Sequence, residues 1–301
     1  MRWTPEKVSE LQRLMDNGHS WQSAADTLAA LWNTDISWDT VRTAARRNNF
    51  GSKLDSAGQM VAPDKYDKPW ELDGDWLIAG DTQFPFADWW MVGRIARVAK
   101  KYKLKRLLLA GDVFEWYALS SYPSHVPAPP IGSEVRSARA AMEFWGEWFE
   151  DIRIITGNHD QRFFRMLSQT VETDDLLALA LQMLQSGRVA RWSMYGWCLI
   201  KSETGMWRVT HPRNYARNAL TTARKLAHKH RQHVISFHEH HTAQGFDDSG
   251  DFVIANVGCV ADPQKFPYVE LVDSTNPRMN QSFATLRKGR LRIFDRHQAW
   301  G

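Results

Sequence analysis

Five polar turns, most of them closing an apolar run, constrain what this chain can fold into: Asp81-Thr82-Gln83, Gly111-Asp112, Gly157-Asn158-His159-Asp160, His211 and His238-Glu239-His240. Trp76-Leu77-Ile78-Ala79 runs into Gly80-Asp81, and Leu107-Leu108-Leu109-Ala110 runs into Gly111-Asp112, so two carboxylates stand just past short buried strands. Between them, Ala87 to Tyr102 sets Trp90, Ile95 and Val98 among Arg94, Arg97 and Lys100, which is a helical face. The unit is β-α-β with a parallel pair. Ser133 to Glu150 reads as another helix, and Ile152 to Ile155 repeats the strand pattern before Gly157. Downstream, Trp207 to Thr210 stops at His211 and Val234 to Phe237 stops at His238. Ligands of open α/β sheets bind beyond the carboxyl ends of strands. Carboxylate, amide and imidazole groups delivered together to such ends are what a two-metal hydrolytic site requires.

In that order the blocks resemble the calcineurin-like metallophosphoesterase superfamily, whose signature is D-x-H, GD, GNH[DE], H and GH-x-H. The similarity covers Asp75 to Phe294, and Gly157 to Asp160 matches the most specific block in full. The resemblance implies an α/β sandwich of two mixed β-sheets flanked by helices. It implies two divalent ions, with manganese the first expectation and magnesium, iron or zinc the alternatives. One ion would be held by Asp81, Gln83, Asp112 and His240, the other by Asp112, Asn158, His211 and His238, with Asp112 bridging. His159 would contact phosphate and assist the leaving group, with Asp160 orienting its ring. Asn256-Val257-Gly258 resembles the late N-x-G turn. A single Gly-Asp or His-x-His is commonly only a turn or a core histidine, and the ordered set carries the inference.

Two ions about 3.5–4 Å apart lower the pKa of a shared water to give a metal-bound hydroxide and neutralise phosphoryl oxygens during in-line attack. Arg162 and Arg213 stand within reach of a bound phosphate, with structural ion pairs the competing role, and Trp116 and Tyr117 follow Asp112 closely enough to line a cleft. Glu239 and His241 read as groups around the ligands, and His228, His230 and His233 as a solvated helix terminus after Ala216 to His230. The proline-rich stretch from Ser120 to Gly132, with His125, suits a loop on the rim of the cleft. Phe283 to Arg287 and Arg290 to Phe294 flank Lys288-Gly289 as a hairpin.

The first fifty residues read as a separate helical module. Thr4-Pro5-Glu6 opens one helix with Val8, Leu11, Leu14 and Met15 on one stripe before Asn17-Gly18. Ser20 caps a second helix and Ser37 a third, which carries Arg42, Arg46 and Arg47 where a helix-turn-helix protein has its recognition helix. The module nevertheless balances six Lys or Arg against six Asp or Glu, which leaves protein docking open beside DNA contact. The expected organisation is a helix-turn-helix-like domain over 1–50, a linker over 51–74 and the phosphoesterase domain over 75–301.

Composition sets outer limits. A chain of 301 residues that is 43% hydrophobic can bury a full core, and a net charge of +4 permits a polyanionic substrate. Cys198 and Cys259 make neither a zinc motif nor a disulfide framework, and no apolar export or membrane segment stands out, so a cytoplasmic protein without a membrane partner is expected. The expected function is a metal-dependent hydrolase cleaving phosphodiesters in nucleic acid, as a nuclease or phosphodiesterase, with nucleic acid as partner. A phosphomonoesterase or small-nucleotide phosphatase with a protein-binding module is the alternative, and a DNA-binding scaffold with a weakened metal site is the third reading. Oligomeric state stays open, a dimer among the options.

Two positions depart from the family pattern: Gln83 stands for a histidine and Phe237 for a glycine. An amide oxygen is a hard, neutral ligand and holds borderline metals less firmly than imidazole. Gln83→His should therefore tighten the first metal site in a manganese titration, and unchanged occupancy would count against Gln83 as a ligand.

Overall fold

The computed structural model describes residues 3–16, 19, 21–48, 68–120, 127–167, 190–266, 269 and 278–297. The chain divides into two compact units, Met1–Asp67 and Lys68–Gly301. In the first, α1 (Pro5–Asp16), α2 (Trp21–Trp32) and α3 (Trp38–Arg47) surround Leu11, Leu14, Met15, Ala24, Leu28, Val41 and Ala45. The sequence stripes produce this core directly, because residues three and four apart share a helix face. Ser37 caps α3 by accepting the Thr40 N–H at 3.3 Å. Arg42 pairs with Asp39 at 2.9 Å and lies 5.0 Å over the Trp38 ring, and Arg47 is exposed. Asn17, Gly18, Ser20 and the Arg46 side chain lie outside the described residues.

Among the described residues the second unit contains two six-stranded mixed sheets. Its strands are β1 (Glu71–Asp73), β2 (Trp76–Ala79), β3 (Arg106–Ala110), β4 (Asp151–Ile155), β5 (Ala190–Ser193), β6 (Trp197–Ser202), β7 (Gly205–Thr210), β8 (His233–Ser236), β9 (Thr242–Phe246), β10 (Val253–Val257), β11 (Ser282–Arg287) and β12 (Arg290–Asp295). One sheet runs β12-β11-β2-β3-β4-β5 and the other β1-β6-β7-β8-β10-β9. The pairs from β2 to β5 are parallel, as are β7 with β8 and β8 with β10. Every residue of β2 is buried, and so is every residue of β3 after Arg106, as expected of parallel strands covered on both faces.

Side-chain alternation divides that burial between two cores. Leu77, Ala79, Leu107, Leu109, Ile152 and Ile154 pack under α4 (Trp89–Tyr102) and α5 (Ile131–Gly146). Trp76, Ile78, Leu108, Ala110 and Ile155 meet Cys198, Ile200, Trp207, Val209, Ile235 and Phe237 of the other sheet. α6 (Asp160–Leu167) follows β4, and α7 (Thr221–His230) lays Ala223 and Ala227 on Val234 and Ile254. The carboxyl ends of β2, β3, β4, β7 and β8 consequently open toward one edge of the sandwich.

Several elements differ from the sequence reading. The second unit starts before residue 75, since Glu71–Asp73 pairs in parallel with Leu199–Lys201. This edge strand exposes both of its acids, so no apolar run marks it. The α7 helix begins at Thr221 rather than Ala216 because Leu220 has φ 67°, outside the helical region. His233 belongs to β8 rather than to a helix end: its ring stacks on Trp207 at 4.5 Å, and its Nδ1 accepts the Val253 N–H at 2.9 Å. Ser121 to Val126, with His125, lies outside the described residues.

Phe237 occupies the space that Gly80 leaves free: a Cβ on Gly80 would lie 2.6 Å from Phe237 Cδ1. The aromatic in the last motif is thus accommodated by the glycine in the first. Gly80→Ala should lower the urea unfolding midpoint by an amount worth about 1–3 kcal/mol. Adding Phe237→Leu should recover part of the loss, and simple additivity of the two changes would refute the contact.

Glu134 of α5 fixes the loop after β3, accepting the Trp116 N–H at 2.6 Å and the Tyr117 N–H at 3.2 Å. Burial raises its pKa from 4.5 to about 7, outweighing the two amides that favour the anion. A carboxyl with a raised folded pKa contributes stability that is complete below 4.5 and is lost as pH rises toward 7. Urea midpoints measured from pH 4.5 to 7 should fall for the native protein and fall less for Glu134→Gln.

Candidate metal centre

Three of the five motifs reach the site by a sharp backbone turn. Asp81 (φ 49°), Gln83 (φ 44°), Asp112 (φ 49°), His238 (φ 81°) and His240 (φ 54°) all occupy the left-handed region. Such conformations cost about 1–3 kcal/mol each for residues with side chains and cluster at functional sites. Backbone pairing holds them: Asp81 N–H donates to Gly111 O at 3.0 Å and Gln83 N–H to Asp112 O at 2.9 Å. The first two motifs are therefore one rigid double turn.

Asp112 lies at its centre, fully buried. Its Oδ1 accepts the His159 N–H at 2.7 Å, and its Oδ2 lies 3.1 Å from His211 Nε2. Gly157 passes so close that a Cβ there would be 2.1 Å from Asp112 Oδ1. His211 Nδ1 donates to Ala110 O at 2.9 Å, which turns Nε2 toward Asp112 and toward Asn158 Oδ1, 3.1 Å away. Asp112, His211 and His238 each offer a ligand atom within 4.8 Å of the others. Asp81 completes the group, with Oδ1 3.1 Å from His240 Nε2 and Oδ2 accepting the His238 N–H at 3.1 Å.

The donor chemistry fits a cation. Gln83 Oε1 is buried without a hydrogen-bond partner, which normal protein interiors avoid unless another group satisfies it. Burial opposes ionisation of Asp112, but His211 and His159 beside it hold its pKa below the ordinary range. Burial likewise opposes charge on His211, yet Asp112 and Asp81 raise its pKa to about 10. His238 goes the other way: burial and the neighbouring His211 lower it to about 4, so its lone pair stays available. Buried carboxylates here draw positive charge toward themselves, and imidazole, amide and carboxylate donors suit a divalent transition ion.

Beside the ligands lies a second constellation. His159 Nδ1 meets Glu115 Oε2 at 2.9 Å, and Arg162 bonds Glu115 O at 2.8 Å, Glu115 Oε1 at 3.2 Å and His159 Nε2 at 3.1 Å. Burial lowers the His159 pKa, but Asp112 and Glu115 overcome it and the net shift is upward. Glu115, not Asp160, orients the ring. The Asp160 carboxylate instead accepts three backbone N–H groups, from Val113, Phe114 and Gly157, at 2.9–3.2 Å, tying the β3 and β4 turns together. Burial and the nearby Asp112 raise its pKa to about 7.

Other expected residues sort themselves plainly. Trp116 does not line a cleft: with φ 46° its ring turns inward, only 2% exposed, and stacks between Phe114 at 4.4 Å and Phe163 at 4.8 Å. Arg213 is exposed in the loop after β7. Glu239 is buried, accepting the Ala216 N–H at 3.0 Å and bonding Asn256 and Thr222, so it braces the His238–His240 turn from behind. Glu115 was missed because it stands outside every signature block. Its three-residue spacing from Asp112 was the available signal.

No family model matches the sequence, and no curated protein does. Among solved structures, YfcE, a phosphoesterase from E. coli, is 15% identical over 72% of this chain and 90% of its own, with a TM-score of 0.37. Chaetomium thermophilum Vps29 is 11% identical over 74% of this chain and 96% of its own, with a TM-score of 0.41. Vps29 of Entamoeba histolytica is 13% identical over 73% and 98%, with a TM-score of 0.36. Likenesses this distant say nothing about activity. The described strands of Lys68–Gly301 form the two mixed sheets that the motif resemblance implies, with a candidate metal centre at the carboxyl ends of strands.

Proposed function

We propose that the protein is a metal-dependent phosphodiesterase acting on nucleic acid. The observation that carries this reading is the pairing, in one place, of a ligand group around Asp112 with a histidine held outside it by Glu115 and Arg162. Two divalent ions, manganese first among them, would be held by Asp81, Gln83, Asp112 and His240 on one side and by Asp112, Asn158, His211 and His238 on the other. When bound they supply Lewis acidity toward water and phosphoryl oxygens. The remaining work falls to the chain. Glu115 keeps His159 in one orientation through Nδ1, and Nε2, which here accepts from Arg162, would carry the proton for a departing oxygen once a substrate phosphate draws the guanidinium away. Arg162 adds positive charge beside that nitrogen, and exposed Arg213 supplies a further donor for phosphate oxygens. Asp160 holds the two turns in register without meeting substrate. The N-terminal helices, with Arg42, Arg46 and Arg47, would bring the site to its polymer as a helix-turn-helix module.

His159→Ala should lower kcat on a bis-aryl phosphate about 10²–10⁴-fold while manganese binding by calorimetry is retained. Glu115→Gln should do the same to a smaller extent. Loss of metal from His159→Ala would make it a ligand instead of an acid. With manganese present, turnover of the bis-aryl phosphate and of DNA, the latter falling on removal of residues 1–50, supports the reading. Preference for a mono-aryl phosphate regardless of truncation refutes it in favour of a phosphomonoesterase, and silence on all substrates favours a scaffold.

A further inference from the structure

The second unit carries a concentration of positive charge that the metal centre does not use. From Trp89 to Arg106 the sequence has seven Lys or Arg and no Asp or Glu, and from Gln281 to His297 it has five against the single Asp295. For a chain whose net charge is only +4, these two segments hold an excess, even though Lys105, Arg106, Arg287 and Arg296 pair with Glu150, Asp73, Asp75 and Asp88. The fold brings them together. The α4 helix lies against the edge strand β12, joined by Tyr102 and Phe294 with ring centroids 5.8 Å apart and by a hydrogen bond from Arg94 to Asp295 O.

Aromatic rings punctuate the seam. At its upper end, Arg94, Arg97 and Arg296 lie 5.1, 5.8 and 5.4 Å from the Trp90 ring. At its lower end, Arg287, Arg292 and Lys101 lie 5.0, 6.0 and 6.0 Å from Tyr102. Arg94 is buried and Arg296 is engaged by Asp88 and Gln281, so at the upper end it is the exposed Arg97 that offers planar donors suited to phosphate. Trp89 and Trp90 are 46% and 44% exposed, an unusual cost for indoles that nothing in the described fold requires. The upper end adjoins the metal centre: Trp89 lies 6.3 Å from Phe84, the residue after Gln83. The α4 helix has 14 residues, so the seam extends about 20 Å from that point.

We infer that the seam of α4 and β12, from Trp89 to Tyr102 and Arg292, is a track for single-stranded nucleic acid leading to the metal centre. This inference rests on the phosphodiesterase reading for its direction and supplies the substrate's form. With Trp90 covered by its guanidiniums, the exposed Trp89 ring can stack only on an unpaired base, and basic surfaces with such platforms are how single strands are held without sequence preference. A paired duplex offers no free base face to Trp89.

The test uses the full-length protein and a fluorescein-labelled 20-nucleotide oligothymidylate, followed by anisotropy with chelator present so that no turnover intervenes. Arg97, Lys100 and Arg292 are exposed, and the triple variant R97E/K100E/R292E should weaken binding at least tenfold. The slope of log affinity against log salt should become shallower by about 2, since each lost phosphate contact removes about 0.7 for a single strand. Trp89→Ala should weaken binding several-fold without changing that slope. Hydrolysis of the bis-aryl phosphate should survive in both variants, which separates a failed track from a failed active site. Unchanged oligonucleotide binding in the triple variant overturns the track, as does an equal loss from R42E/R47E with none from the triple variant. Binding of phosphatidylserine vesicles, but not of oligonucleotide, through the same residues also overturns it.

Discussion

The Asp112 carboxylate is the contact on which the rest of the site depends. It lies where the two sheets meet, receives the His159 N–H from the β4 turn and faces His211 from the β7 end. Neither approach is open without missing side chains. A Cβ on Gly157 would collide with Asp112 itself, and one on Gly111, already at φ 85°, would meet the His211 ring at 2.7 Å. Glycine at these two positions is therefore a steric condition for a carboxylate shared between sheets. Asp160 then fastens the same two turns through three amides, an arrangement that commits it to structure whatever its charge.

The strained turns explain why the ligands sit where they do. A strand that ended in ordinary extended geometry would carry its next side chains alternately up and down the sheet. The left-handed residues at Asp81, Gln83 and Asp112 break that alternation, and the mutual backbone bonds of the first two turns hold the break in place. The same device appears at His238 and His240, braced by buried Glu239. Both sheets thus contribute rigid, preformed turns, and metal donors on such turns need little reorganisation.

How much of this was legible follows from which strands are buried on both faces. β2, β3, β4, β7 and β8 lie inside their sheets and read as apolar runs with a polar stop, so their order and their ligands could be found residue by residue. β1, β5 and β9 stand at sheet edges and carry polar residues such as Glu71, Arg191 and Gln244, which leave no comparable run. Side-chain direction was the harder loss. Trp116 adjoins the site in sequence, but one left-handed residue sends its ring into a stack with Phe114 and Phe163. The partner of His159 was equally hidden, because adjacency favoured Asp160, and only the folded loop carries Glu115 across to Nδ1. The exchange of space between Gly80 and Phe237 likewise joins residues far apart in the chain.

Charge connects the centre to its proposed substrate. Among the seven residues proposed to hold metal only Asp81 and Asp112 are anionic, and Gln83 would contribute a neutral oxygen where the resembled pattern places an imidazole, so the formal ligand charge would be unaffected by that exchange. Two divalent ions over two carboxylates would leave the centre positive, and Arg162 would add to the same side. A positive, partly enclosed centre attracts anions in general and does not distinguish a monoester from a diester. Discrimination must then come from outside the ligand group, from surfaces that contact the remainder of a substrate. The basic seam beside Trp89 is such a surface: it can favour a polymer over a small ester without altering the chemistry at Asp112, and substitutions along it should move KM for the polymer while leaving kcat on the small ester in place.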